Sequence, residues 1–125
     1  MGNIVTHTLA VSEDGIFIIQ TIVGDLTRDS AIRNNIEAHA LGKQLGINRY
    51  LSDLTSCRNV ESPVDDYAFA TADMENDAIN HLARVALLVS PDDHSHDFIE
   101  TVLKNAGQNV TIFRDREAAE AFLRK

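Results

Sequence analysis

The stretch "RVALLVSPDD" (84–93) constrains this chain more than any other. Residues 85 to 89 are apolar without interruption, and a proline and two aspartates end the run. The run is too short for a buried helix of ordinary length, and its two valines favour extended backbone. A strand that is apolar on both faces must be covered on both faces. It therefore belongs inside a sheet with helices on either side, which makes this an α/β chain.

The flanking sequence supplies the covering pieces. "HDFIETVLKNAG" (96–107) carries a stripe of Phe98, Ile99, Val102, Leu103 and Ala106, and Gly107 ends the helix. "NVTIF" (109–113) reads as a strand. "DREAAEAFLRK" (115–125) reads as a helix capped by Asp115, with Ala118, Ala119, Phe122 and Leu123 inward. Upstream, "NIVTHTLAV" (3–11) alternates, putting Val5, His7, Leu9 and Val11 on one face of a strand. "SEDG" (12–15) is turn chemistry, and "IFIIQTIV" (16–23) is a second strand antiparallel to the first.

"GDLTRDS" (24–30) breaks that strand, and Asp25 or Thr27 caps a helix running to about Leu45, with Gly46 as its stop. This helix has two apolar stripes. Ile32, Ile36 and Ala40 form one; Ala31, Ala38, Leu41 and Leu45 form the other. One covers the sheet, and the other meets a neighbouring helix or a second copy in a homodimer. "RYLSDL" (49–54) is a short strand followed by a loop, "TSCRNVESP" (55–63). Ser62, Pro63 and Asp65 then make a helix start, with a rough stripe of Val64, Tyr67, Ala68, Thr71 and Met74 interrupted by "MENDAIN" (74–80). The expected order is β-β-α-β-α-β-α-β-α, the last strands parallel with right-handed crossovers. Sites in such sheets form at the carboxyl ends of the strands. Asp53, Thr55 and Ser56, then Ser90, Asp92 and Asp93, then Arg114 and Asp115, occupy those ends.

Composition narrows the function. A net charge of −8, from 19 acids against 11 bases, repels phosphate backbones and anionic lipid, so neither nucleic acid nor a membrane surface is an expected partner. Tyr50, Tyr67 and Phe69 are too scattered for a base-stacking platform. The single cysteine, Cys57, permits no internal disulfide and suits a reducing compartment. The first residues show no signal peptide, and no apolar run approaches a membrane span, so a cytoplasmic location is expected. Gly2 and Thr6 match the start of a myristoylation signal without a second membrane signal beside it. A length of 125 residues fits one domain, 1–125.

"GDLT" after the second strand, "YLSDLT" in the third, "RVALLVSPDDHSHDFIE" and "NAGQNVTIFRDREAAEAFL" resemble the bacterial SpoIIAA-like family, also described as STAS-like (sulfate transporter and anti-sigma-factor antagonist). The resemblance spans nearly the whole chain and implies a β/α superhelix with a mixed sheet. It also implies a non-enzymatic regulator that binds a protein partner and is switched by phosphorylation of a serine. That serine stands in an Asp-Ser-Ser-Gly-like motif at the helix start after the third strand. Here the region reads "DLTSCRNVESPVDD": Ser62 falls near the place, and no Asp-Ser-Ser-Gly is present. Other proteins of this shape resemble lipid carriers, which implies an apolar ligand between helices and sheet.

Several residues invite a chemical role, and each has a plainer reading. Asp92, Asp93, His94, His96 and Asp97 hold enough carboxylates and imidazoles for a divalent metal. Yet His94 and His96 are two residues apart, about 200° on a helix, so they diverge, and acids at a helix start satisfy free N–H groups. Ser62 could accept a phosphate at a helix N-terminus, or simply cap it. Cys57 lacks a local base and reads as a passive loop thiol. His7 reads as a hydrogen-bonded core histidine, and His39 and His81 as solvated. No phosphate-cradling glycine loop, nucleophile elbow or zinc-protease motif occurs. No catalytic residue, metal or cofactor is expected. The leading expectation is a non-enzymatic regulatory or binding domain acting through a protein partner, with Asp53, Thr55, Ser62, Asp92 and Asp93 at its working edge and Ser62 the possible phosphoacceptor. The alternative is a carrier of an apolar small molecule or lipid, lodged near Tyr67, Phe69 and Met74. A metal-dependent enzyme using Asp93, His94 and His96 is the third.

Overall fold

The computed structural model describes residues 6–125, so Gly2 and Val5 lie outside the described residues. Five strands form one sheet in the order of the chain: β1 (Thr6–Val11), β2 (Ile18–Leu26), β3 (Arg49–Asn59), β4 (Arg84–Leu88) and β5 (Asn109–Phe113). β1 runs antiparallel to β2, and every later pair is parallel. Helices α1 (Arg28–Leu45), α2 (Pro63–Thr71) and α3 (Asp97–Asn105) are the three crossovers, and α4 (Arg116–Arg124) follows β5. A sheet that steps in one direction through right-handed crossovers places all its crossover helices on one face. Ala31 of α1, Phe69 and Ala70 of α2, and Ile99, Val102 and Leu103 of α3 accordingly share one core with Leu87 and Val110. Ala119 and Leu123 of α4 cover the other face, against Phe17, Leu51, Ala86 and Leu88. The mixed α/β architecture read from the sequence is the one observed.

The apolar run at 85–89 sits inside the sheet, as its pattern requires: β4 lies between β3 and β5 and contributes side chains to both cores. Local chemistry explains the helix ends. Thr27 and Ser30 form a reciprocal capping box on α1, and Gly46 closes it at φ 71. Ser62 caps α2 from its hydroxyl, with Pro63 at the first position. Asp115 caps α4 through the Glu117 and Ala118 N–H groups.

Several elements depart from the expected ones. β2 continues through Gly24 and Asp25 to Leu26, and the supposed loop after residue 54 is strand to Asn59. The extension survives because β2 and β3 pair along its whole length, with a bulge between Thr21 and Val23. That bulge shifts the side-chain alternation, so Leu54 and Cys57 share one core. Cys57 is thus a buried strand residue, not a loop residue. On α1 the inward face is made of small and polar residues, Ser30, Ala31, Asn34, Ala38 and Gly42, while Ile32 and Ile36 pack at its flank and Leu45 is exposed. On α2 the inward residues are Asp66, Phe69 and Ala70, and Val64 and Tyr67 face water. Phe98 and Ala118 are also outside. No helix among the described residues is long and apolar enough to cross a membrane.

Candidate functional site

The carboxyl edge of the sheet is shaped by a mismatch in strand length. β3 pairs with β4 only as far as Asp53 and Leu88, yet β3 runs on to Asn59. Its outer edge from Thr55 onward has no strand beside it, and those main-chain groups need partners. Side chains of the turn between β4 and α3 supply them. The Ser90 hydroxyl donates to the Thr55 carbonyl at 2.7 Å. His96 Nε2 lies 3.1 Å from the Cys57 carbonyl, and the Asn59 N–H donates to Ser95 Oγ at 3.0 Å. His96 is 1% exposed, and Asp93 Oδ2 lies 3.4 Å from the same Nε2.

Asp93 itself is half-buried and structural. Partial burial opposes its ionisation, but Ser95 donates to it from both N–H and hydroxyl, with His96 and Arg58 nearby, and together they hold the carboxyl below its ordinary range. α3 begins only at Asp97, and His96 at its N-cap makes no side-chain capping bond. Asp92 and Asp93 therefore do not cap α3; Asp93 closes the turn before it. His94 points the other way, into solvent, where its Nδ1 is 2.9 Å from Asp97 Oδ2 and 3.2 Å from Arg114 Nη2. His94 and Arg114 depress the Asp97 carboxyl. The two imidazoles diverge, though not for the helical reason expected, since both lie in the turn before α3. Among the described residues no group of three or more His, Cys, Asp or Glu side chains is placed to hold a metal.

The five site residues expected from the sequence do not converge. Asp53 faces the α4 side of the sheet, 4.0 Å from Arg116, and accepts both the N–H and the hydroxyl of Thr55. Ser62 heads α2 on the opposite face, its exposed hydroxyl donating to Asp65 Oδ2 at 3.1 Å. Asp92 is exposed in the turn, and Asp93 is engaged as described. Beside Ser62, Val60, Val64 and Tyr67 form an exposed apolar group with Glu61 and Asp65 among them.

Beneath α2 is a cavity of about 90 Å³ between the sheet and helices α1, α2 and α3. Phe69, Met74, Leu87 and Ile99 line its apolar body. Thr27, Arg28, Asn59, Glu61, Asp66 and His96 line its carboxyl-edge end. Arg28 is fixed there by a two-point bond to Asp73, at 2.7 and 2.9 Å, which lowers the Asp73 carboxyl and raises the guanidinium. Asp66 is 7% exposed and accepts from Asn59 Nδ2 at 2.9 Å; burial pushes its carboxyl up, partly offset by that bond.

No family model matches the chain, and no curated protein matches it. Among solved structures, it overlays on an anti-sigma factor antagonist from Mycobacterium paratuberculosis with a TM-score of 0.64 at 11% identity, covering 98% of this chain and 96% of that one. The fold is SpoIIAA-like. Looser overlays, at TM-scores of 0.46 and 0.35, occur with two further structures. One is an uncharacterized DUF3478-family protein with a SpoIIAA-like fold from Shewanella loihica (19% identity, 97% and 94% covered); the other is a STAS-domain antisigma-factor antagonist from Rhodobacter sphaeroides (14%, 91% and 90%). Within this SpoIIAA-like frame, sequence reasoning missed His96 and Asp66 as buried polar residues, and the half-buried Asn59 that donates to Asp66. The one available signal was that Asp66 interrupts the apolar spacing of α2 on the side where Phe69 and Ala70 follow.

Proposed function

We propose that this chain is a non-enzymatic regulatory domain that binds a protein partner on the outer face of α2. One observation carries the reading: α2 is turned against the usual pattern. Val64 and Tyr67, one turn apart, are 77% and 58% exposed, while Asp66 between them is buried. A surface helix ordinarily hides its large apolar residues, and a contiguous apolar group left in water marks an interaction surface. Val60, also exposed, extends the patch.

The rim decides the partner's chemistry. Glu61, Asp65 and, at the same edge, Asp92 are acidic, and the chain carries a net charge of −8. The complementary surface has an apolar centre and a basic border. Ser62 lies within the patch with its hydroxyl exposed. Phosphorylation there would add about two negative charges at the start of α2, beside Asp65, and so switch the surface. Asp53 and Thr55, on the α4 side, stand apart from it. The fold shared with an anti-sigma factor antagonist supports a regulatory role of this kind.

Affinity capture with three baits tests it: the wild-type protein, Val64→Glu/Tyr67→Glu, and Leu82→Glu. Leu82 is 87% exposed and precedes β4, away from the patch, so its variant controls for added surface charge. The expected result is a protein retained by wild type and Leu82→Glu, released by salt and lost on the double variant. Identical capture by all three baits sinks the reading.

A further inference from the structure

The cavity under α2 joins an apolar body to an acidic end. It exists because α1 turns small residues towards the sheet: Ala31 lines the space where a leucine would fill it. A cavity needs about 15 Å³ per water-sized occupant by this measure, so about 90 Å³ takes roughly six heavy atoms. Ligand pockets for drug-sized molecules are on the order of 300 Å³ and larger, so a long acyl chain is out of proportion to it.

The carboxyl-edge end selects the ligand's polar group. Asp66 is the buried carboxylate there, with Asn59 as its hydrogen-bond donor. A carboxylate offers about four acceptor positions, so it retains capacity for a further donor. Glu61 lines the same end, and its Oε2 accepts the Arg28 N–H at 2.8 Å. The one guanidinium, Arg28, is already committed to Asp73, with Asp65 3.8 Å away. Acids outnumber bases around this end, and they favour a cation.

We propose that this cavity binds a small monoamine, with a short apolar body packed against Phe69, Met74, Leu87 and Ile99 and its ammonium group donating to Asp66. Burial disfavours the ionised Asp66 carboxylate in the free protein, and an ammonium beside it relieves that cost. The site stands independently of the outer face of α2, because Asp66 and Val64 point to opposite sides of the helix.

The test is a two-dimensional amide NMR titration with n-butylamine, compared with n-butanol, butyrate and methylammonium. The amine is expected to shift resonances of cavity-lining residues and to bind about tenfold more tightly than the alcohol, the worth of one charge-assisted hydrogen bond. Butyrate and methylammonium are expected to leave those resonances unmoved, since one has the wrong charge and the other has no apolar body. Asp66→Asn keeps an acceptor for Asn59 and should bring the amine down to the affinity of the alcohol. Ala31→Leu should abolish binding of both; should that variant fail to fold, Asp66→Asn decides alone. Three results overturn the proposal: no shift at cavity residues, equal shifts from butyrate and butylamine, or an undiminished amine affinity in Asp66→Asn.

Discussion

His96 Nε2 donates to the main-chain carbonyl of Cys57 across 3.1 Å, filling the place of the strand that β3 lacks on that side. The proton must lie on Nε2, because both groups facing it, the carbonyl and the Asp93 carboxylate at 3.4 Å, are acceptors. An imidazole that looks like a ligand in the sequence is therefore a strand-edge plug. Removing it leaves a buried carbonyl unpaired and opens a void. His96→Ala is expected to cost about 3 kcal/mol. His94→Ala, two residues away but 69% exposed at its side chain, should cost well under about 1 kcal/mol. Urea unfolding of both variants checks this, and equal losses would refute the assignment.

The pair shows what was legible in the sequence and what was not. Both histidines sit in the same polar stretch, and nothing in their spacing says which turns inward. That depends on β3 outrunning β4, a property of two segments about 30 residues apart. The features that rest on local chemistry were readable: the apolar run at 85–89, Ser62 as a cap, Thr27 as one of two cap candidates, and Gly46 as a stop. The inner face of α2 was not readable, because a buried Asp66 is satisfied by Asn59, seven residues earlier on another element. Periodicity assigned Val64 and Tyr67 to the core, and they are the exposed patch. The expected site does not converge for a related reason: Asp53 is a β3 residue turned towards α4, whereas Ser62 heads α2, which crosses over on the other face of the sheet.

His39 was expected in solvent and is buried instead, stacked on Tyr50 with ring centroids 4.5 Å apart. Its Nδ1 accepts the Asn80 N–H at 2.9 Å, which a neutral ring can do and an imidazolium cannot. Burial, helped by His81, lowers its pKa from 6.5 to about 4. As pH falls below 6.5 the unfolded chain gains a proton here and the folded chain does not until about pH 4. Stability should therefore fall through that window, with His39 contributing on the order of 3 kcal/mol. His39→Asn keeps an acceptor for Asn80 and removes the titration. Urea midpoints at about pH 7 and about pH 4.5 should differ less in the variant than in the wild type. An unchanged difference would refute the prediction.

Cys57 should be chemically silent in the folded protein. Burial, with Asp93 and Asp25 nearby, raises its thiol to about 12. The thiolate is the reactive form, so its population falls about a thousandfold against an exposed cysteine. Iodoacetamide labelling followed by mass spectrometry should proceed only after denaturant unfolds the chain. Native labelling within about tenfold of the unfolded rate would contradict this.

Gly42 lies within α1, where alanine normally stabilises a helix by up to about 1 kcal/mol. Here the sign should reverse. A Cβ at this position would overlap the Tyr50 hydroxyl and sit 2.6 Å from the Ile47 carbonyl oxygen. Tyr50 is held by its stack on His39 and by its hydroxyl bond to that same carbonyl at 3.3 Å, so it yields only at a cost. Gly42→Ala is expected to destabilise by about 2 kcal/mol, as overpacking does. Tyr50→Phe removes the clashing hydroxyl but leaves the Ile47 carbonyl in place. Added to Gly42→Ala it should recover part of the loss, whereas on its own it should be mildly destabilising through the lost hydrogen bond. Thermal unfolding of the two single variants and the double variant measures the coupling; a double variant no more stable than Gly42→Ala would show that the hydroxyl is not what closes this position to a side chain.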